Sequence, residues 1–168
     1  MCALVILLAP SVQAAPQPLD DARIEQIRRN CQASQSYLQQ IQRNDAAARI
    51  NRGRAYESIG KLLTNFNGRV VLNKFDAPQL VSSASSFNDK VGNFQSDYLD
   101  YEDAVSATLK INCREQPVTF YDTLTRARDL RTKLAKDIQD IDALLNSYQK
   151  GLDVLRAELE EKARESAR

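Results

Sequence analysis

The chain has 168 residues, which is long enough for one domain with a sizeable hydrophobic core. Charged residues make up 27% of the sequence and leave a net charge of +1, so no overall field favours a nucleic acid or an anionic membrane. The sequence contains no His, which removes the commonest general base and the commonest ligand of transition metals.

Residues 1–14 resemble a secretion signal. An apolar stretch is followed by Val12-Gln13-Ala14, which matches the small-residue pattern of a cleavage site and makes Ala15 the expected first residue of the mature chain. No Lys or Arg precedes the apolar stretch, so a short buried N-terminal segment is the alternative interpretation. The stretch is too short to span a bilayer, and we expect no transmembrane segment in the mature chain.

Beyond this start, the sequence predicts a short linker and three long helices. Residues 15–22 are predicted to form a flexible linker, because they begin with a stretch rich in Ala and Pro. Apolar or small residues then recur at alternating spacings of three and four, the pattern of an amphipathic helix. A polar tail over 160–168 is predicted to fray. The predicted helices cover residues 20–66, 77–112 and 117–160 of a bundle that spans 23–159.

Three long helices with short connectors predict an all-α fold, an elongated antiparallel three-helix bundle of coiled-coil type that runs up, down and up. Aligning Cys31 with Cys113 in an antiparallel helix pair puts Phe66 level with Pro78, where the connector is expected. Loss of Cys2 with the signal would leave these two cysteines as an even pair. An oxidising compartment would join them in a disulfide, and two free thiols are the alternative in the cytosol.

Three charged residues occupy positions of the predicted core stripe, namely Asp45, Arg52 and Arg131. The register set by the cysteines, together with the predicted turn near Glu115, brings Asp45 level with Arg131, which predicts an ion pair. The cysteine register also places Arg52 beside Gly92. The first interpretation is a buried polar layer that fixes the helix register. The alternatives are an anion or carboxylate ligand held by the two arginines, and simple exposure to solvent.

Helices 2 and 3 carry opposite charges at the same predicted level. This arrangement favours complementary pairing between the helices over an acidic metal site or a basic docking patch. No stretch has the Asp-x-Asp-x-Asp-Gly spacing of a calcium loop. The residues concerned are Asp97, Asp100, Glu102 and Asp103 on helix 2, and Arg126, Arg128, Arg131 and Lys133 on helix 3.

The connector after helix 1 is unusually apolar for a loop, since it contains Val70, Val71, Leu72 and Phe75. Such side chains either fold back over the end of the bundle or insert into a partner. Folding back is the first interpretation, because helix 3 continues alongside with apolar residues that can cover them. Contact with a partner is the alternative.

No catalytic pattern supports an enzyme. The sequence has no Ser-His or Cys-His pair, no glycine-rich phosphate loop and no Cys-x-x-Cys, and nothing singles out a Ser-Lys dyad. We therefore predict no enzymatic activity, cofactor, metal site or nucleic-acid partner.

The predicted function is that of an exported binding, adaptor or structural component, in a bacterial periplasm or secreted. It would act through its surface, on a protein partner or by self-association. The alternative is a soluble sensor or carrier that binds a small anionic ligand between the helices near Arg52 and Arg131.

Overall fold

The computed structural model describes residues 19–168, and within this range it contains three α-helices and no strand. Helix α1 spans Asp21–Leu72, α2 spans Pro78–Lys110 and α3 spans Pro117–Ser166. Their contacts and their single disulfide give the predicted elongated antiparallel three-helix bundle. The predicted signal peptide at 1–14 and the first part of the predicted linker lie outside the described residues.

Helix α1 begins at an acidic cap. Asp20 has an extended backbone, and its Oδ1 accepts a hydrogen bond from the backbone N–H of Arg23 at 2.8 Å. This bond satisfies one of the N–H groups that the first turn of a helix leaves unpaired. Residues 21 and 22, which were assigned to the flexible linker, are therefore helical.

The predicted end of α1 at residue 66 is wrong, because Asn67 is a buried helical residue. Its Nδ2 donates to the carbonyl oxygen of Leu80 at 3.0 Å, and its Oδ1 accepts from the hydroxyl of Tyr148 at 2.8 Å. One amide side chain thus links all three helices. The chain turns later, at Lys74, whose φ of 58° lies in the left-handed region.

The prediction that the tail over 160–168 frays is also wrong, since α3 continues to Ser166. Arg156 and Arg164 lie one turn to either side of Glu160 and approach its carboxylate at 3.0 Å and 3.7 Å. Charge pairs at this spacing, together with Ala, Glu, Lys and Arg, support an exposed helix without burial.

Helix α2 packs against α3 more extensively than it packs against α1. Two ion pairs cross the α2–α3 seam. Lys133 Nζ donates to Asp97 Oδ1 at 2.7 Å, which is a pair of the predicted kind, and Lys90 Nζ of α2 donates to Asp140 Oδ2 of α3 at 2.8 Å, with the opposite polarity. The acidic part of α2 therefore lies opposite the basic part of α3 at Asp97, as the sequence predicts.

The buried residues form two clusters that meet α1 at different levels. A small cluster beside the disulfide contains Cys31, Leu38, Cys113 and Phe120. The main cluster receives α1 residues only from Tyr56 onward. Between Leu38 and Tyr56, α1 contributes no buried hydrophobic side chain. This middle stretch of α1 forms one wall of the candidate site.

The buried stripe of α1 keeps the predicted 3.5-residue repeat from Tyr56 to Val70, but it shifts by one position between Leu38 and Tyr56. Leu38 and Tyr56 are both buried and lie about five α-helical turns apart on one face. A straight helix drifts by about 20° per heptad against a 3.5-residue repeat. By the second half of α1 the predicted core position Leu62 is therefore exposed, and its neighbour Leu63 is buried.

Candidate functional site

The predicted disulfide joins Cys31 to Cys113, whose Cα atoms lie 5.5 Å apart. It closes a loop between residues separated by 82 positions, and such a loop corresponds to about 4 kcal/mol of stability in the chain-entropy model. Disulfides persist in oxidising compartments. Within residues 19–168, no helix combines the length and the apolar character that crossing a bilayer requires.

A groove opens between α1 and α3 at the level where α1 has no buried hydrophobic side chain. The facing part of α1 is made of small and polar residues, of which Ala48 is the smallest. Because Ala48 fills little space, the groove reaches down to Phe94, Tyr98 and Tyr101 of α2, which form its floor although each is at most 5% exposed. The volume is about 600 Å³, within the range of small-molecule sites. We call it the arginine groove; its main lining residues are Asp45, Ala48, Arg49, Arg52, Phe94, Tyr98, Tyr101, Arg128, Arg131, Leu134, Ala135 and Ile138.

Asp45 ties α1 to both other helices at the arginine groove. Its Oδ1 accepts from Arg131 Nη2 at 3.1 Å, and its Oδ2 accepts from the hydroxyl of Tyr101 at 2.6 Å. The contact with Arg131 is the ion pair that the helix register predicts, whereas the part played by Tyr101 was not foreseen. Burial and the hydrogen bond to Asp45 raise the pKa of Tyr101, so the phenol remains a donor at neutral pH.

The three predicted polar residues line a groove and do not form a buried layer. The side chain of Arg131 is 56% exposed and that of Asp45 is 21% exposed, which corrects the predicted core position of Arg131. On α3 the buried stripe runs through Ala127, Leu134 and Ile141, and Arg131 lies beside this stripe at the edge of the groove. Arg52 is half-buried, and its Nη1 makes a long contact of 3.4 Å with the hydroxyl of Tyr56. Only Asp45 and Arg131 of the three are in contact.

Arg49 is the groove residue that the sequence pattern missed. Its guanidinium carbon lies 4.7 Å from the centroid of the Tyr98 ring, within the range of a cation–π contact. Its Nε is buried and has no hydrogen-bond partner within residues 19–168. A buried donor without an acceptor is costly, so the protein itself does not satisfy this guanidinium fully. Arg49 lies one heptad before Tyr56, so extending the stripe of Tyr56 and Leu63 toward the N-terminus would have revealed it.

Positively charged side chains predominate in the groove. Four arginines and one carboxylate line it, and the carboxylate of Asp45 is already paired with Arg131. Within the described chain, Arg49, Arg52 and Arg128 form no ion pair with a carboxylate. Basic groups around an apolar, partly enclosed surface focus a positive potential there, although the whole chain is nearly neutral.

A second polar feature lies inside the α2–α3 seam, where Asp97 and Asp137 are both buried. Lys133 donates to Asp97, but the Oδ2 atom of Asp137 has no hydrogen-bond partner within residues 19–168. Burial, and then the neighbouring Asp97 carboxylate, raise the pKa of Asp137. No group of three or more His, Cys, Asp or Glu side chains arranged for a metal ion occurs in residues 19–168.

The predicted contact loop over 70–75 is mostly the last turn of α1, and its side chains divide between two faces. Val70 is 4% exposed in the main cluster, and Phe75 packs against the same cluster. Val71 is 61% exposed and Leu72 is 82% exposed. Val70 and Phe75 therefore fold back as predicted, while Val71 and Leu72 face solvent because a helical turn buries only one side.

No family model matches the chain, and no curated protein or solved structure is significantly similar to it. Function is therefore inferred from the geometry of the chain itself.

Proposed function

We propose that this protein is an exported, non-enzymatic binding protein that holds an anionic ligand in the arginine groove. The observation that carries the proposal is the lining, in which arginines of two different helices stand over a floor of aromatic rings. Guanidinium groups bind carboxylates and phosphates through charge-assisted, often bidentate hydrogen bonds, and they also stack on aromatic faces. A sensor or carrier uses a site of this kind without chemical turnover.

The anchoring of α1 on both sides of the groove supports a site that is already formed before the ligand binds. The disulfide cluster fixes α1 at one end, and the main cluster fixes it from Tyr56 onward. Between these two clusters, the Asp45 carboxylate ties α1 to α2 through Tyr101 and to α3 through Arg131. A preformed site avoids part of the ordering cost that binding otherwise carries.

Export is supported by two separate features. The first is the signal-like sequence of residues 1–14, and the second is the disulfide between Cys31 and Cys113. Disulfides are rare in the reducing cytosol of most organisms. An extracytoplasmic location would also give the groove access to small molecules from outside the cell.

The proposal is tested by thermal unfolding of the purified mature chain with small anions, and with neutral and cationic compounds of similar size. Binding to the folded state raises Tm by mass action. We expect anions to raise Tm in a saturable manner, and we expect the double variant Arg52→Gln/Arg128→Gln to lose most of that response.

The matched control is Arg43→Gln/Arg126→Gln, which removes the same charge from exposed positions of α1 and α3 outside the groove. This control should keep the response of the wild type. Equal losses in both variants, or an equal response to neutral compounds, would show that the groove is not an anion site.

A second function, association with a protein partner or another copy of the chain, is favoured by a different observation. Val71 and Leu72 are exposed at the end of α1, where apolar side chains gain from being covered. The variant Val71→Asp/Leu72→Asp should fold with an unchanged Tm and should lose any association that sedimentation detects in the wild type. A clear fall in Tm, or association that survives the change, would exclude this end of the rod as the contact.

A further inference from the structure

The arginine groove is apolar as well as basic, and the two characters occupy different parts of it. Its floor and one end are formed by Phe94, Leu134 and Ile138, none of which carries a polar side-chain group. Ala48 and Ala135 add only methyl groups to the walls. The basic groups stand above this surface on α1 and α3. A ligand that fills the groove must therefore satisfy both an apolar surface and a set of guanidinium groups.

We infer that the ligand is a small amphipathic anion, with an apolar body and a single oxyanion group, either a carboxylate or a phosphate. This inference rests on the proposed function and names the ligand class for the same groove. The apolar body packs against the apolar lining of the groove, which includes Phe94, Leu134 and Ile138. The oxyanion accepts hydrogen bonds from arginines of α1 and α3.

The shape and the surroundings of the groove disfavour two simpler ligands. A bare inorganic anion would make no contact with the apolar lining and would gain nothing from it. A long polyanion would need basic residues that continue along the rod, but acidic residues are interspersed throughout and the net charge is only +1. The four arginines line one compact groove, which suits one charged group on a compact molecule.

Asp45 has a separate role as the residue that sets the charge preference of the groove. Its carboxylate already occupies Arg131 and Tyr101, so it removes one of the four arginines from ligand binding. It also repels further negative charge that a ligand would bring nearby. Both effects favour a ligand with one anionic group over a ligand with several.

The ligand class is tested by fluorescence titration with naphthoate and naphthyl phosphate, which differ only in the oxyanion. The chain has no Trp, so the naphthyl signal is free of indole background. Naphthamide serves as the neutral analogue, acetate and inorganic phosphate as anions without an apolar body, and an oligoglutamate peptide as the polyanion. We expect at least one naphthyl anion to bind about tenfold more tightly than any of these controls.

Variants assign the binding to the groove. Arg52→Gln/Arg128→Gln should weaken the preferred naphthyl anion about tenfold, while the control Arg43→Gln/Arg126→Gln should not. Asp45→Asn, which preserves the shape of the side chain, should tighten it about fivefold through loss of repulsion. A purely structural Asp45 would instead lower Tm without raising affinity, which would overturn its assigned role.

The outcomes separate this inference from the proposed function. Acetate, phosphate or oligoglutamate binding as tightly as the naphthyl anions, with loss in Arg52→Gln/Arg128→Gln, would overturn the amphipathic class and leave an anion site. Naphthamide binding as tightly as naphthoate, or no binding of any anion, would overturn both.

Discussion

Two glycines show how local space decides the effect of the same substitution. At Gly53 an added Cβ would meet nothing within 4 Å, whereas at Gly151 it would stand 2.7 Å from Leu80 Cδ2. Leu80 is 1% exposed and cannot move aside without disturbing the α2–α3 seam.

Gly53→Ala should raise the free energy of unfolding by about 1 kcal/mol, because Ala is the better helix former. Gly151→Ala should lower it by about 1 to 3 kcal/mol through overpacking. Denaturant unfolding of both variants checks the pair. Stabilisation by Gly151→Ala would mean that the seam is looser than the structure shows.

Asp137 makes the stability of the seam depend on pH. Its folded-state pKa lies above the usual value near 4, so the ionised group penalises folding, and this penalty grows as pH rises through about 4 toward the raised pKa. Asp137→Asn removes the charge and supplies an amide that can donate to Asp97. We expect this variant to be more stable than the wild type at neutral pH, by about 1 kcal/mol for a regained hydrogen bond.

The gain from Asp137→Asn should shrink as pH falls from the raised pKa toward about 4, because the folded wild-type carboxyl becomes protonated, and little of the gain should remain below about 4. Denaturant unfolding at several pH values measures the difference between the two proteins. Asp142→Asn, at an exposed position of the same helix, is the matched control. A difference that is independent of pH would show that Asp137 titrates alike in the folded and unfolded chains.

At the residue scale, contacts fixed by helix register could be predicted, and contacts fixed by local twist could not. The pair of Asp45 and Arg131 follows from aligning the cysteines and from the turn near Glu115. The stacking of Arg49 on Tyr98 depends on the angular drift of α1, and a 3.5-residue repeat hides that drift. The burial of Asp137 escaped notice because an acid on a charged helix gives no sign of facing inward.

At the scale of one element, α1 is held at two separate places, and its middle is held mainly by polar contacts. The double variant Cys31→Ser/Cys113→Ser should lower the stability of the fold by about 4 kcal/mol. Without the disulfide, only the small cluster around Leu38 and Phe120 would hold the N-terminal part of α1 against the other helices. Residues 21–55 of the variant should therefore exchange their amide hydrogens faster than the rest of the chain.

Hydrogen exchange followed by mass spectrometry measures this loss helix by helix. The α1 segment after Tyr56 should keep its protection, because it belongs to the main cluster with α2 and α3. An equal loss of protection in all three helices would mean that α1 has no independently anchored segment.

Helix existence and order followed from the sequence, but two helix ends did not. Asn67 and Gly68 resemble a helix stop, yet Asn67 is used as a buried amide that bonds to α2 and α3. The charged end of α3 resembles a frayed tail, yet pairs one turn apart around Glu160 support it as helix. In both cases the deciding interaction lies in side-chain contacts that composition alone does not reveal.

At the scale of the whole molecule, the rod is a scaffold that places arginines of α1 and α3 over aromatic rings of α2. The bundle and its disulfide could be predicted from periodicity and from the two cysteines. The groove could not, because it arises where small residues of α1 fall opposite Phe94 and Tyr98 at a particular helix rotation. The sequence did identify Arg52 and Arg131 as possible anion ligands, and the structure brings both to the groove.

The most direct measurement is a titration of the isotope-labelled protein with naphthoate, followed by NMR of backbone amides and tyrosine rings. We predict saturable shifts confined to residues around Arg49, Tyr98 and Arg131, with no change at Val71 or Leu72. Shifts centred on the exposed end of α1, or none at concentrations that saturate a millimolar site, would contradict the arginine groove as the place where this protein binds its ligand.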